Sequence, residues 1–232
     1  MKLKCNIHFH TADDPQDRFI TYTFAEGIMK AAELGFEVIA LTCHNKFINL
    51  PTYHNLALKH NILLIAGVEK TIEGRHVVIL NPDETIKNVS NFDDLITYKN
   101  SRPEIFILAP HPFFYGNYSL KEKLESHINL FDAIEYSWFY SKWLNRNKDA
   151  EKAAQKHNLP LIATSDTHDL WCLDKSYAVI DIKEKTMTAV FDALRKGEFQ
   201  NITSPCKFWR DMFWRVAIGW TFKSKDEKNI KT

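Results

Sequence analysis

Short apolar segments rich in β-branched residues alternate along the chain with segments that have helical spacing. Eight apolar runs predict strands, at residues 3–8, 38–43, 62–66, 76–80, 105–109, 133–137, 161–164 and 177–182. Between most of them the spacing predicts helices, at residues 24–34, 51–60, 92–98, 120–130, 147–157 and 187–196. This alternation indicates a parallel sheet with helices outside it. Seven or eight strands in 232 residues favour a small barrel over an open sheet.

Composition narrows the class of protein. With 45% hydrophobic and 25% charged residues, the chain is neither disordered nor collagen-like nor a coiled coil. The formal net charge is +1, so bulk charge does not drive the chain onto nucleic acid or a membrane. No apolar run approaches about 18 residues, which predicts no transmembrane segment. Four well-separated cysteines and an N-terminus unlike a signal peptide predict a cytoplasmic protein.

Histidines and acids collect where the predicted strands end. His8 and His10 are two residues apart on the first strand, so both side chains point to the same face. A second pair, Asp166 and His168, follows the strand at 161–164. Other predicted strand ends carry further candidates, namely His44, Glu69, His76 and His111.

Strand ends converge at one mouth of a parallel barrel, so we expect these side chains to meet there. Imidazole and carboxylate ligands suit Zn, Mn or Fe. The candidates exceed the needs of one ion, which predicts two or three divalent ions that share a bridging carboxylate. Glu69 is the expected bridge, because it is the acid in the middle of the series.

The histidine and acid motifs occur along the chain in an order that resembles the order in the PHP (polymerase and histidinol phosphatase) domains. The resemblance covers roughly residues 3 to 182. The motifs are His8-Phe9-His10-Thr11, Thr42-Cys43-His44-Asn45, Gly67-Val68-Glu69, His76, Pro110-His111-Pro112 and Ser165-Asp166-Thr167-His168. The resemblance implies an α/β fold, a distorted (β/α)7 TIM-like barrel with a trinuclear metal centre.

Carried over residue by residue, the resemblance implies three groups of metal ligands, of which the first two share Glu69. They are His8, His10, Glu69 and Asp166 for the first ion, Glu69, His76 and His111 for the second, and Asp17, His44 and His168 for the third. Asp14 remains an alternative to Asp17, because the early acidic motif departs from the family pattern. Cys43 stands where the family usually has Asp, which removes an expected hydrogen-bond acceptor for a ligand imidazole.

The implied reaction is hydrolysis of a phosphate ester by a metal-bridging hydroxide. The substrate would be a small phosphomonoester, a nucleotide or an oligonucleotide end. The predicted catalytic residues are Glu69, His44, Asp166 and His168. Arg75 is the candidate for binding the substrate phosphate. Two alternatives stay open, a metal-dependent amidohydrolase-like enzyme and a non-catalytic metal-binding regulatory module.

We predict that the barrel occupies residues 1–205 and that residues 206–232 form a C-terminal extension. The part from Lys207 onward carries seven basic and three acidic residues. Its apolar side chains recur at helical spacing, at Trp209, Met212, Phe213, Val216, Ala217 and Trp220. Such an amphipathic segment predicts packing on the domain, self-association or contact with a membrane surface.

Overall fold

Nine strands form one sheet in residues 1–206, the part of the chain that the computed structural model describes. The strands are β1 (Lys2–Phe9), β2 (Phe36–Leu41), β3 (Leu63–Ile72), β4 (Arg75–Leu80), β5 (Phe106–Ala109), β6 (Ala133–Ser137), β7 (Leu161–Thr164), β8 (Ser176–Asp181) and β9 (Phe199–Thr203). Seven of the first eight coincide closely with the predicted apolar runs. β3 continues past the predicted end at residue 66 to Ile72, so Glu69 lies inside this strand rather than at its end.

Six α-helices accompany these strands in the same residues. They are α1 (Phe24–Glu33), α2 (Pro51–Lys59), α3 (Phe92–Ser101), α4 (Glu122–Ser126), α5 (Asn147–His157) and α6 (Met187–Lys196). Thr23 begins α1 with a capping box, in which its side chain accepts from the Glu26 amide. The single helix predicted over 120–130 is wrong, because α4 ends at Ser126 and a separate 3-10 turn follows it.

The strand order is β7-β6-β5-β4-β3-β2-β1-β8-β9. Parallel pairs join β1 to β2, β2 to β3, β5 to β6 and β6 to β7. The expectation of purely parallel pairing is wrong for β4, β8 and β9. Glu73 and Gly74 have φ of 48° and 74° between the paired Ile72 and Arg75, so a two-residue turn makes β3 and β4 an antiparallel hairpin.

The sheet is nearly closed into a barrel, which confirms the predicted fold class. β9, which the sequence analysis missed, lies at one edge and faces β7 at the other. The Asn201 side chain joins these edges, since its Nδ2 donates to Leu161 O at 2.7 Å and its Oδ1 accepts from Ala163 N at 2.8 Å. The side-chain amide thus replaces a peptide group where the strands do not pair directly.

Alternating strand residues build separate apolar clusters on the two faces of the sheet. In β2, Val38 and Ala40 pack with residues of other strands such as Ile65 and Phe106. The intervening Ile39 and Leu41 belong to a cluster that includes residues of α1. Packing on both faces fixes the strands, and therefore fixes where the side chains at their ends point.

The extension predicted at 206–232 lies outside the described residues, apart from Cys206. Its self-association or membrane contact therefore stays a prediction. Among residues 1–206, none of the helices has the length and apolar character needed to cross a bilayer.

Candidate metal centre

Glu69 lies at the centre of a group of five histidines. Its side chain is buried, and each carboxylate oxygen faces a different set of imidazoles. Oε1 lies 2.8 Å from His76 Nδ1 and 3.1 Å from His111 Nε2. Oε2 lies 3.1 Å from His8 Nε2, 3.3 Å from His10 Nε2 and 3.1 Å from His44 Nε2. This is the arrangement expected of a carboxylate shared between two groups of ligands.

Asp166 and His168 approach the same cluster from the segment after β7. Asp166 Oδ1 lies 3.4 Å from His8 Nε2 and 3.2 Å from His168 Nδ1. Two backbone hydrogen bonds hold this segment against the end of β1, from His10 N to Thr167 O and from Thr167 N to His8 O. The two pairs recognised in the sequence, His8 with His10 and Asp166 with His168, therefore lie side by side.

The two early acids, Asp14 and Asp17, occupy different positions. Asp17 Oδ2 lies 2.6 Å from His168 Nε2 and 3.7 Å from His44 Nδ1. Asp14 is buried, and its Oδ2 lies 2.8 Å from His10 Nδ1 and 2.9 Å from His44 Nδ1. Asp14 Oδ2 also accepts from the His44 amide at 2.7 Å. Asp14 thus faces the outer nitrogens of two imidazoles whose Nε2 atoms face Glu69.

Asp14 also supplies the acceptor that the Thr42-Cys43-His44 motif lacks. Cys43 itself is buried, and burial raises the pKa of its thiol. A buried thiol with a raised pKa is a poor nucleophile. We therefore assign Cys43 to the packing of the strand end.

Three groups of side chains in the described residues place their potential ligand atoms within 4.8 Å of one another. They are His8, His10, Glu69 and Asp166; His44, Glu69 and His76; and His10, His44 and His168. The first group has the same members as the first predicted set. In the second, His44 stands where the resemblance implied His111, although His111 also faces Glu69. His44 and His10 each belong to two groups.

Several buried polar atoms of the cluster lack a hydrogen-bond partner in the described structure. They are His10 Nε2, both ring nitrogens of His76, and Asp166 Oδ1. His76 Nδ1 is close to Glu69 Oε1 but is not aligned for a hydrogen bond. An unpartnered buried polar group costs about 1–3 kcal/mol. Neutral imidazoles and carboxylates with unused lone pairs fit divalent Zn, Mn or Fe.

The electrostatics of the cluster favour positive charge. Burial lowers the pKa of His8, but Asp166, Glu69 and Glu135 outweigh burial and raise it to about 10. The pKa of His10 is also raised, against burial, by Asp14, Asp166 and Glu69. Burial raises the pKa of Glu69, but the neighbouring histidines lower it well below its usual range. Anionic carboxylates therefore keep protons on His8 and His10 unless a cation replaces those protons.

Two residues of the cluster have strained backbones. His111 has φ of 30° and Asp166 has φ of 42°, in the left-handed region that favours glycine. Such conformations cost about 1–3 kcal/mol each and concentrate at functional sites. The fold tolerates them where they aim ligand side chains at the cluster.

Glu135 has a part in this site that the sequence analysis did not assign. It lies in β6, is 0% exposed, and contacts His8 and the His111 amide. An acid inside an otherwise apolar strand was the available signal, but the sequence does not say what it faces. Arg75 contacts Asn117 O, Ser119 O and Glu122, which do not bring it to the histidines. Phosphate binding by Arg75 stays a prediction.

The chain belongs to the PHP domain family. Residues 8–127 match the family model described as PHP domain, and residues 145–199 match the model described as PHP-associated. This confirms the resemblance read from the motifs. No curated protein sequence gives a significant match to the chain.

Several solved structures share the fold. A two-domain protein from Bacteroides vulgatus, described as containing a predicted PHP-like metal-dependent phosphoesterase, is 19% identical with a TM-score of 0.67 over 88% of this chain. PsfC from Pseudomonas syringae is 11% identical, with a TM-score of 0.64, 88% of this chain covered and 92% of its own. The lesion-specific endonuclease EndoQ of Pyrococcus furiosus is 16% identical, with a TM-score of 0.59 over 87% of this chain. This chain spans 65% of the Bacteroides chain and 58% of the Pyrococcus chain.

Proposed function

We propose that this chain is a metal-dependent hydrolase of phosphate esters. One observation supports this most strongly: the two oxygens of buried Glu69 face two different sets of imidazoles. Family membership and the phosphoesterase descriptions of similar structures also support hydrolysis of phosphate esters.

The proposed ligands are the nine residues expected from the sequence. His8, His10 and Asp166 group around Glu69 Oε2, while His76 and His111 approach Oε1. We assign Asp17, His44 and His168 to the third ion: Asp17 contacts both histidines, although the histidines also group with His10. His44 is close enough to serve the second ion as well. We assign Asp14 to orientation of His10 and His44, because its Oδ2 faces their Nδ1 atoms.

Two or three divalent ions would neutralise the phosphoryl oxygens and lower the pKa of a bound water toward neutrality. Glu69 and Asp166 have lowered pKa values, so these residues act as anions that hold charge rather than as proton donors. His168 lies beside Asp17, with 2.6 Å between its Nε2 and Asp17 Oδ2. We assign His168 and His44 to the side of the departing oxygen of the ester, where a cation that they hold with Asp17 would stabilise the negative charge that this oxygen takes.

The substrate class is a small phosphomonoester, a nucleotide or an oligonucleotide end. The substrate panel contains an aryl phosphate, nucleotides and a short oligonucleotide. With Mn²⁺ or Zn²⁺, the full chain should release phosphate from a member of this panel or cleave the oligonucleotide. Glu69→Gln should reduce turnover about a thousandfold, equivalent to about 4 kcal/mol of transition-state stabilisation. Exposed Glu104 offers a matched control, and Glu104→Gln should keep full turnover.

Other outcomes would assign a different function. Hydrolysis of amides without hydrolysis of phosphate esters would favour the amidohydrolase-like alternative. Bound ions with no turnover across both panels would favour a regulatory metal-binding module. Phosphate release that survives both chelation and Glu69→Gln would contradict the metal mechanism itself.

A further inference from the structure

Glu135 is a buried acid beside the proposed ligands but outside their three groups. Its Oε1 lies 2.9 Å from His8 Nδ1 and accepts a hydrogen bond from the Thr164 hydroxyl. Its Oε2 accepts from the His111 amide at 2.5 Å. Both oxygens are therefore engaged by donors of the protein, which leaves Glu135 poorly placed to bind an ion directly.

The contact with His8 determines which ring nitrogen carries a proton. A carboxylate only accepts hydrogen bonds, so Glu135 holds the proton of His8 on Nδ1. The other nitrogen, Nε2, faces Glu69 Oε2 at 3.1 Å and Asp166 Oδ1 at 3.4 Å. In that tautomer His8 presents the Nε2 lone pair to the cluster.

The contact with His111 acts on the backbone. His111 has the positive φ of 30°, and its amide is held by Glu135 Oε2. Its Nε2 lies 3.1 Å from Glu69 Oε1. One buried carboxylate thus supports two histidines that face opposite oxygens of Glu69.

We propose that Glu135 is a positioning residue of the metal centre, which fixes the tautomer of His8 and holds the strained turn at His111. This inference rests on the metal binding in the proposed function. Loss of the Glu135 carboxylate should weaken the binding of the ions on both sides of Glu69. Asp14 provides a comparison, because it faces the Nδ1 atoms of a different pair, His10 and His44.

Glu135→Gln in the full chain tests the proposal. Glutamine keeps the shape but offers one acceptor oxygen and one donor group, so it cannot accept from His8, Thr164 and His111 together. We expect Zn²⁺ affinity, measured by competition with a chromophoric chelator, to fall about 10–100-fold. Histidine side-chain ¹⁵N spectra of the Zn²⁺-loaded protein should show a changed His8 signal and unchanged His10 and His44 signals. Asp14→Asn should give the converse pattern.

Thr164→Val is the matched control, because it removes a hydrogen bond to the same oxygen and leaves the contacts to His8 and His111. Its Zn²⁺ affinity should stay within about threefold of wild type. Equal weakening by Thr164→Val and Glu135→Gln would indicate general repacking and overturn the proposal. A purely structural Glu135 would lower the unfolding free energy of the variant without changing Zn²⁺ affinity or the His8 signal.

The wild-type protein gives a test that needs no variant. In its Zn²⁺-loaded form, His8 should carry its proton on Nδ1 and bind through Nε2. Binding through Nδ1 would overturn the proposal even if Glu135→Gln fails to fold. A wild-type protein that binds Zn²⁺ while Glu135→Gln binds it equally well contradicts this inference alone. A wild-type protein that binds no Zn²⁺ contradicts the proposed function as well.

Discussion

Glu69 and Asp132 are acids at different ends of the barrel strands, and their partners differ in kind. Asp132 precedes β6 and contacts Arg195 Nε at 3.2 Å, Lys99 Nζ at 3.4 Å and the Ile107 amide at 2.7 Å. Arginine and lysine keep their charge across the physiological range. Glu69 is surrounded instead by imidazoles, whose protons can be exchanged for a metal ion. Asp132, whose partners stay charged, therefore stabilises the fold. Glu69, whose partners are imidazoles, can exchange their protons for a metal ion.

Residues with positive φ lie at both ends of the barrel, but they are of different types. At the mouth, His111 and Asp166 adopt positive φ although neither is glycine. Near the other end, positive φ occurs at Gly197, which ends α6, and at Asn61, Asn81 and Asn158. Glycine and asparagine adopt this conformation more readily than other residues do. The mouth therefore combines less tolerant residue types in strained conformations with unpartnered polar atoms, and both features destabilise a fold unless they serve a function.

Metal removal should have the largest effect on the unfolding free energy, because the proposed ligands lie at the mouth of the barrel. An ion present at 100 times its dissociation constant stabilises a fold by about 2.7 kcal/mol, so two such ions give about 5 kcal/mol. Urea unfolding with Zn²⁺ and with a chelator should differ by this amount. Glu69→Gln should remove most of the difference, whereas equal unfolding free energies with and without Zn²⁺ in wild type would contradict the account.

The second-largest effect should be the dependence of Zn²⁺ affinity on pH. In the metal-free protein the pKa of His8 is raised to about 10, so an ion must displace its proton at neutral pH. Each displaced proton makes affinity rise about tenfold per pH unit, or about 100-fold from pH 6 to pH 8. Zn²⁺ titrations at several pH values measure this slope. A flat profile would show that no such proton is displaced.

Metal affinity should rise with pH, but the same raised pKa of His8 should make the stability of the metal-free protein fall with pH. A histidine whose folded pKa exceeds the unfolded value of 6.5 stabilises the fold fully below pH 6.5, and this contribution is lost as pH rises toward about 10. The metal-free protein should therefore lose stability across that range.

Asp132→Ala should produce a moderate effect confined to stability. The substitution removes one hydrogen-bond acceptor from each of Arg195, Lys99 and the Ile107 amide, which should lower the unfolding free energy by about 2 kcal/mol. Metal content by elemental analysis should not change. Loss of bound ions in this folded variant would mean that the two ends of the barrel are coupled.

Gly197→Ala should give the smallest effect. The φ of 74° is unfavourable for alanine, so we expect a loss of about 1 kcal/mol of stability. Phosphoesterase turnover should stay at the wild-type value, as measured on the same substrate panel. A large fall in turnover would contradict the division between the two ends.

Much of the fold could be predicted because apolar runs mark buried strands directly. β9 was missed because its pattern includes the exposed polar residues Gln200 and Asn201. The strand β4 was predicted but its antiparallel direction was not, because periodicity identifies a strand without its direction, which the turn at Glu73 and Gly74 sets.

The convergence of the site could also be expected from the sequence, because strand ends meet at one mouth. The distinction between Asp14 and Asp17 could not, since both lie in a loop without periodicity, where only contacts show that Asp14 faces Nδ1 atoms. Glu135 is visible in the sequence as an acid in an apolar strand. Its contacts with His8 and His111 depend on the tertiary structure.

Glu69 should bridge several divalent ions at the mouth of the barrel. Anomalous X-ray diffraction from crystals of the Zn²⁺-loaded protein tests it most directly. We predict two or three anomalous peaks, with each Glu69 oxygen about 2.0–2.2 Å from an ion. A single peak, or peaks away from Glu69, would contradict the account.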